Sequence, residues 1–291
     1  MKVLLTGAAG QLGRALSRTR PAVTELVALA RAELDVGDAR AVEAAISRHR
    51  PDVVLNAAAY TQVDAAQAAP DDAERINALG PEALARACRA SDARLVHVST
   101  DYVFDGEANV PYLPESPTRP SSVYGASKRR GEERIQALLG AEALIVRTSW
   151  LYAHDGRNFL TRMLQLMAER PQLSVVIDQV GAPTAADELA AALWQMIGNR
   201  GAGLHHWCNS GVASWYDFAV AIGEEASARG LLRTVPVIRP ILSAEYPTPA
   251  RRPHYSVLDK RSAEALTGEP AAHWREALRR VIARIGTTVA Q

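Results

Sequence analysis

Cysteine is nearly absent. Cys88 and Cys208 are the only two in 291 residues, too far apart in sequence to read as a metal-binding or redox pair. They read as small core residues, and their scarcity fits a reducing compartment. Excess charge of either sign is also lacking. Lys and Arg number 33 against 32 Asp and Glu, a formal charge of +1, which argues against a nucleic-acid or polyanion surface. The single basic cluster, Lys128-Arg129-Arg130, falls inside a predicted helix. No apolar run reaches membrane-spanning length. The run at Val3–Leu5 breaks on Thr6-Gly7, too soon for a signal peptide. The chain is therefore expected in the cytoplasm, with no membrane and no nucleic acid as partner. Carboxylates and histidines are scattered, so no metal is expected. His205 and His206, in a predicted strand, point to opposite faces and cannot chelate together. Repeats and low-complexity tracts are missing too.

What is present is apolar residues, 48% of the chain, enough for a sizeable core. In the first half, short apolar runs alternate with Ala-rich helical stretches. The runs are Val3–Leu5, Leu26–Leu29, Val53–Leu55, Leu95–Val98 and Leu144–Val146. The helices are predicted over Gln11–Thr19, Ala39–His49, Asp72–Ala90 and Ser122–Leu139. Fully apolar strands separated by helices predict an α/β fold with a doubly wound, Rossmann-like parallel sheet. After residue 149 the rhythm changes. Helices are predicted over Asn158–Glu169, Ala185–Ile197, Trp215–Ala228 and Ala272–Ile285, separated by longer, proline-rich segments. The division expected is a dinucleotide-binding domain over 1–149 and a smaller, irregular substrate part over 150–291, with segments of the latter returning to the first.

Gly7, Gly10 and Gly13 lie between the first strand and first helix. Gly7 suits a tight turn, Gly10 lets a pyrophosphate approach the backbone at a helix N-terminus, and Gly13 allows close helix–strand packing. The spacing is looser than the usual dinucleotide fingerprint, and its position is what favours binding. A carboxylate at the end of the second strand is missing. That strand ends Leu29-Ala30-Arg31, and an acid there would hold the ribose of NAD and repel a 2′-phosphate. The guanidinium of Arg31 favours NADPH, or use of NADH as well. Asp35 and Val36 follow, placed to bracket the adenine or simply to make a turn.

Tyr124 and Lys128 are four residues apart on a predicted helix and so share a face. A lysine cation and a nearby nicotinamide charge are expected to stabilise the phenolate and lower its pKa from about 10. Thr100 ends the fourth strand, at the carboxyl edge where open α/β sheets bind ligands.

With these residues the chain resembles the extended short-chain dehydrogenase/reductases and, along almost its whole length, the dTDP-4-dehydrorhamnose reductase family. Six blocks carry the resemblance: Arg50–Ala59, Ser99–Gly106, Val123–Lys128, Arg147–Trp150, Asp178–Thr184 and Tyr246–Pro253. The resemblance implies Tyr124 as proton donor, Lys128 as its modulator and ribose anchor, and Thr100 as a tuner of the tyrosine. Thr100, Asp101 and Trp150 would contact the sugar. Gly10, Gln11, Leu12, Asp35, Val36, Ala59, Tyr60 and Thr61 would hold the cofactor. Asn158 and Arg252 would meet the nucleotide diphosphate. From residue type alone Trp150 reads equally as a core aromatic and Asn158 as a helix cap.

One further absence separates the reactions of the superfamily. Related sugar-nucleotide dehydratases carry Asp-Glu after the threonine, whereas Tyr102 follows Asp101 here; related epimerases commonly have serine at the threonine. Both point to reduction of a ketone without elimination, with dTDP-4-dehydro-L-rhamnose as substrate and dTDP-L-rhamnose as product. The regulatory subunit of eukaryotic methionine adenosyltransferase, a binding partner, shares much of the same pattern and stands as the rival reading. A homodimer is the expected assembly.

Overall fold

The computed structural model describes residues 1–289. Strands β1 (Lys2–Thr6), β2 (Glu25–Leu29), β3 (Val53–Asn56), β4 (Arg94–Thr100) and β5 (Leu144–Thr148) alternate with helices α1 (Gln11–Arg18), α2 (Ala39–His49), α3 (Val63–Ala68), α4 (Pro70–Glu74), α5 (Gly80–Ser91) and α6 (Val123–Leu139). Then follow β6 (Leu151–Tyr152), α7 (Phe159–Glu169), β7 (Gln172–Val176), β8 (Val180–Gly181), β9 (Thr184–Ala185), α8 (Ala186–Gly198) and β10 (Gly203–His206). The chain continues through β11 (Ala213–Ser214), α9 (Trp215–Ala228), β12 (Val237–Ile241), α10 (Arg261–Thr267) and α11 (Trp274–Val289).

The main sheet has six strands in the order β10-β5-β4-β3-β1-β2, every pair parallel. β1, β3 and β5 are buried almost throughout, as their unbroken apolar composition requires. One face packs on α1 and α8; the other is covered by α2, α5 and α6. The helices start where the sequence supplies caps. Asp38 accepts from the backbone N–H groups of Arg40 and Ala41 at α2, and Ser122 accepts from that of Gly125 at α6. Both free cysteines are buried, and burial pushes each thiol up to about 12.

The sixth strand and α8 come from beyond residue 149 and complete the main sheet and its helical layer. β10 reads Gly-Leu-His-His and is half exposed at the sheet edge, so no apolar run marks it. The rest of the second half has its own core of α7, α9 and α11 with the pair β7–β12. The helix predicted over Asp72–Ala90 is not continuous. A π-helical turn, Arg75–Leu79, separates α4 from α5. Such turns arise where a local demand overrides the regular ladder, and here the demand is Asn77. Its side chain bonds both backbone groups of Tyr60 and also Ser127 of α6. No helix among the described residues is long and apolar enough to cross a membrane.

Candidate active site

The carboxyl ends of β1, β3, β4 and β5 open into a cleft of about 850 Å³, at the edge where parallel sheets bind ligands. Gly7 adopts φ +70°, and a Cβ there would stand 2.7 Å from the Ala58 nitrogen. Gly13 sits beneath the turn rather than on the lining; its Cβ would overlap the Gly7 carbonyl. α1 begins at Gly10 with no side-chain cap, leaving its first N–H groups free for an anion. Gly10, Gln11 and Leu12 line this end of the cleft.

Arg31, Asp35 and Val36 line the part beyond β2, and Ala59, Tyr60 and Thr61 the part beyond β3. Asp35 accepts from Arg75 at 3.0 Å and from the Gly37 N–H at 2.9 Å. Burial opposes the charge on its carboxyl. The Gly37 bond and the guanidinia of Arg75 and Arg31 outweigh it and hold Asp35 below its ordinary value. No carboxylate stands at residue 30 or 31.

β4 ends in the reactive group of side chains. Thr100, Asp101, Tyr124 and Lys128 share the lining with Ser99, Thr148, Ser149 and Trp150. Lys128 is buried, and its Nζ donates to the Val98 carbonyl at 2.7 Å and lies 3.2 Å from His97 Nε2. The cation thus turns toward the strand. In the chain by itself burial pushes the Tyr124 phenol up to about 12, against a side-chain hydrogen bond with Thr100. Burial also brings Lys128 down to about 8, opposed by Glu132. Asp101 is buried and raised to about 6 by desolvation, in spite of its bond with Thr100 at 3.0 Å. Tyr102 packs edge-on against Tyr124 with centroids 5.5 Å apart.

Several buried polar atoms in the cleft have no partner: Gln11 Oε1, Ser99 Oγ, Asp101 Oδ2 and Thr148 Oγ1. Such atoms are costly to leave unpaired. Together with the uncapped helix start and the glycine turn, they fit a polar dinucleotide and a hydroxyl-rich substrate. Among the described residues no group of His, Cys, Asp and Glu could hold a metal ion.

Trp150 takes φ +45°, a conformation that costs a non-glycine residue about 1–3 kcal/mol. Its ring stacks on Trp215 at 3.6 Å and 5°, and Gly181 makes room beside it, since a Cβ would lie 2.8 Å from the indole. Asn158 lies off the lining of the cleft. It caps α7: its oxygen accepts from the Thr161 N–H, and its amide nitrogen donates to the carbonyls of Ala153 and Asp155. The exposed cation that reaches the cleft from this segment is its neighbour Arg157. Arg252 also lies off the lining and forms a two-pronged ion pair with Asp64 at 3.0 and 2.7 Å. Sequence reasoning missed Arg157, Asn77 and His97. None belongs to a motif whose spacing carries chemistry; their roles arise from which strands and loops are neighbours.

The sequence profile of the RmlD substrate binding domain matches residues 1–287. The chain is 42% identical to the spore coat polysaccharide biosynthesis protein SpsK of Bacillus subtilis (strain 168), covering 96% of this chain and 95% of that protein. It is 44% identical to a dTDP-4-dehydrorhamnose reductase of Streptomyces griseus, with 94% and 91% covered. A solved dTDP-4-dehydrorhamnose reductase from Bacillus anthracis str. Ames, in complex with NADP, superposes with a TM-score of 0.91 at 35% identity, over 97% of this chain and 99% of that one.

Proposed function

Because the chain belongs to the RmlD substrate binding domain family, we propose that it reduces the 4-keto group of dTDP-4-dehydro-L-rhamnose to give dTDP-L-rhamnose. The reductant is a nicotinamide dinucleotide, NADPH in preference to NADH. The observation that carries this reading is one cleft holding an uncapped glycine turn beside Thr100, Tyr124 and Lys128.

The bound nicotinamide supplies the hydride to the carbonyl carbon. The chain's own residues handle the proton and the geometry. Tyr124, raised to about 12, is fully protonated at neutral pH and is a proton donor rather than a base. Its proton goes to the oxygen that gains charge as the carbonyl is reduced. Thr100 bonds the phenol and positions it. Asp101, with one oxygen engaged by Thr100 at 3.0 Å and the other free, accepts a sugar hydroxyl. The stacked face of Trp150 borders the sugar. Arg157 meets the diphosphate from the loop before α7. Tyr102 at the position after Asp101 leaves no second carboxylate to drive loss of water, which favours reduction alone. Arg31, on the cleft lining with Asp35 near it and the Glu33 carboxylate on the Ala30 N–H at 2.8 Å, is the partner for a 2′-phosphate.

The test is the purified protein with the keto-sugar nucleotide and either reduced cofactor. Loss of reduced-cofactor absorbance is expected, faster with NADPH. No turnover with either would overturn the reading.

A further inference from the structure

Below the cleft floor a file of polar groups crosses three neighbouring strands. Thr6 on β1 pairs in register with Asn56 on β3, which pairs with His97 on β4. Thr6 Oγ1 donates to Asn56 Oδ1 at 2.6 Å, and Asn56 Nδ2 lies 2.9 Å from His97 Nδ1. His97 Nε2 in turn lies 3.2 Å from Lys128 Nζ. Thr6, Asn56 and His97 are wholly buried, so each of these contacts is made without competition from water.

The direction of the file is set at its far end. The backbone N–H of Ala58, which can only donate, points at Asn56 Oδ1 at 3.1 Å. That contact fixes the amide oxygen and turns the amide nitrogen toward His97. Nδ1 of the ring must therefore accept, and a neutral ring then carries its proton on Nε2. Burial, helped by the nearby Lys128 charge, keeps His97 neutral, well below its ordinary value. The Nε2–H faces Lys128 Nζ. An ammonium has no lone pair to receive it, whereas an amine has one and can still donate to the Val98 carbonyl at 2.7 Å.

We propose that His97 is a positioning residue: locked by Asn56 in the Nε2–H tautomer, it donates to Lys128 and sets the pH at which that lysine gives up its proton. The bearing of this on turnover rests on the reductase reading; the wiring itself does not. Other charges around Lys128 are accounted for. Glu132, one turn along α6, is tied to Arg147 of β5 and to Arg129. Glu74 and Glu82, on the helices against α6, pair with Arg130 and Arg134. Asp101 is turned to Thr100, and Tyr124 is a neutral phenol.

The test reads the tautomer directly. In protein labelled with ¹⁵N-histidine, long-range correlations assigned by their loss in His97→Gln should show His97 as the Nε2–H form. Asn56→Asp keeps an acceptor for Ala58 and Thr6 but offers His97 a carboxylate oxygen. It should move the proton to Nδ1, leave Nε2 as an acceptor for the ammonium, and raise the Lys128 midpoint, followed by its ε-carbon shift, by about one pH unit, a tenfold change in proton affinity. An Nδ1–H tautomer in the wild type overturns the proposal, as does an unchanged Lys128 midpoint in a folded Asn56→Asp protein. If that variant fails to fold, the wild-type tautomer alone decides. These readouts need no substrate, so a protein with the Nε2–H form but no turnover would overturn the reductase reading and leave this one standing.

Discussion

At the scale of single residues the account rests on what each side chain can give or accept. Tyr124 lends a proton and little binding. Tyr124→Phe should lower kcat by roughly 10²–10⁴ while cofactor Kd stays within about twofold; titration of cofactor fluorescence beside steady-state kinetics checks both. Equal losses of binding and turnover would make the ring structural. Arg31→Asp should shift the ratio of kcat/KM values from NADPH toward NADH, because a carboxylate there repels the 2′-phosphate. A constant ratio would place Arg31 outside cofactor choice. Asp101 carries a stability signature as well. Its carboxyl sits at about 6 in the fold against 3.8 for the free group, so the fold binds its proton more tightly than the unfolded chain does. Stability is therefore lost as pH rises through that window. Asp101→Asn should make the ligand-free protein more stable than wild type by about 3 kcal/mol at pH 8 and by about half that at pH 5. Urea unfolding at the two values measures it, and a gap that widens toward acid would contradict the assignment. The same substitution should raise KM for the sugar nucleotide.

At the scale of elements, the reactive side chains depend on where α6 lies. Arg147 of β5 and Glu132 of α6 form a buried two-pronged pair at 2.9 and 2.7 Å, and the guanidinium also donates to the Pro114 carbonyl and lies over Phe104. Arg147→Met removes the two-pronged partner of buried Glu132, leaving it only Arg129 at 3.3 Å, and should cost about 3 kcal/mol, whereas Arg147→Met with Glu132→Leu should recover much of it. Chemical denaturation of the single and double variants distinguishes this from a pair that contributes nothing. Legibility varies at this scale for physical reasons. β1, β3, β4 and β5 can be read from the sequence because burial on both faces demands unbroken apolar runs, and β2, partly exposed at one edge, still carries the run Leu26–Leu29. β10, whose His205 and His206 read as a strand, carries no such run, because an edge strand with one half-exposed face tolerates Gly-Leu-His-His, so its place in the main sheet is not legible. The π turn at Arg75–Leu79 escapes a propensity reading because its cause is tertiary: Asn77 must reach the Tyr60 backbone.

At the scale of the molecule, sequence order and spatial order part company. After residue 149 the chain leaves the main sheet for β6, α7 and β7, yet β10 and α8 cross back to finish it. The cleft lies where the two halves meet. The glycine turn, Thr100 and the tyrosine–lysine pair are legible because each is tied to a local spacing. Arg157 and the buried file through Asn56 and His97 are not, since strand adjacency creates them. The same adjacency explains how Lys128 shares the cleft lining with Tyr124 and also donates to the Val98 carbonyl of β4.

The central claim is a hydride delivered to the sugar's 4-keto carbon without loss of water. Incubating the protein and dTDP-4-dehydro-L-rhamnose with NADPH deuterated at the transferring position, then locating the label by NMR, tests it most directly. One deuterium at C4 of an otherwise intact dTDP-L-rhamnose is the predicted result. Label elsewhere in the sugar, a dehydrated product, or no incorporation would contradict it.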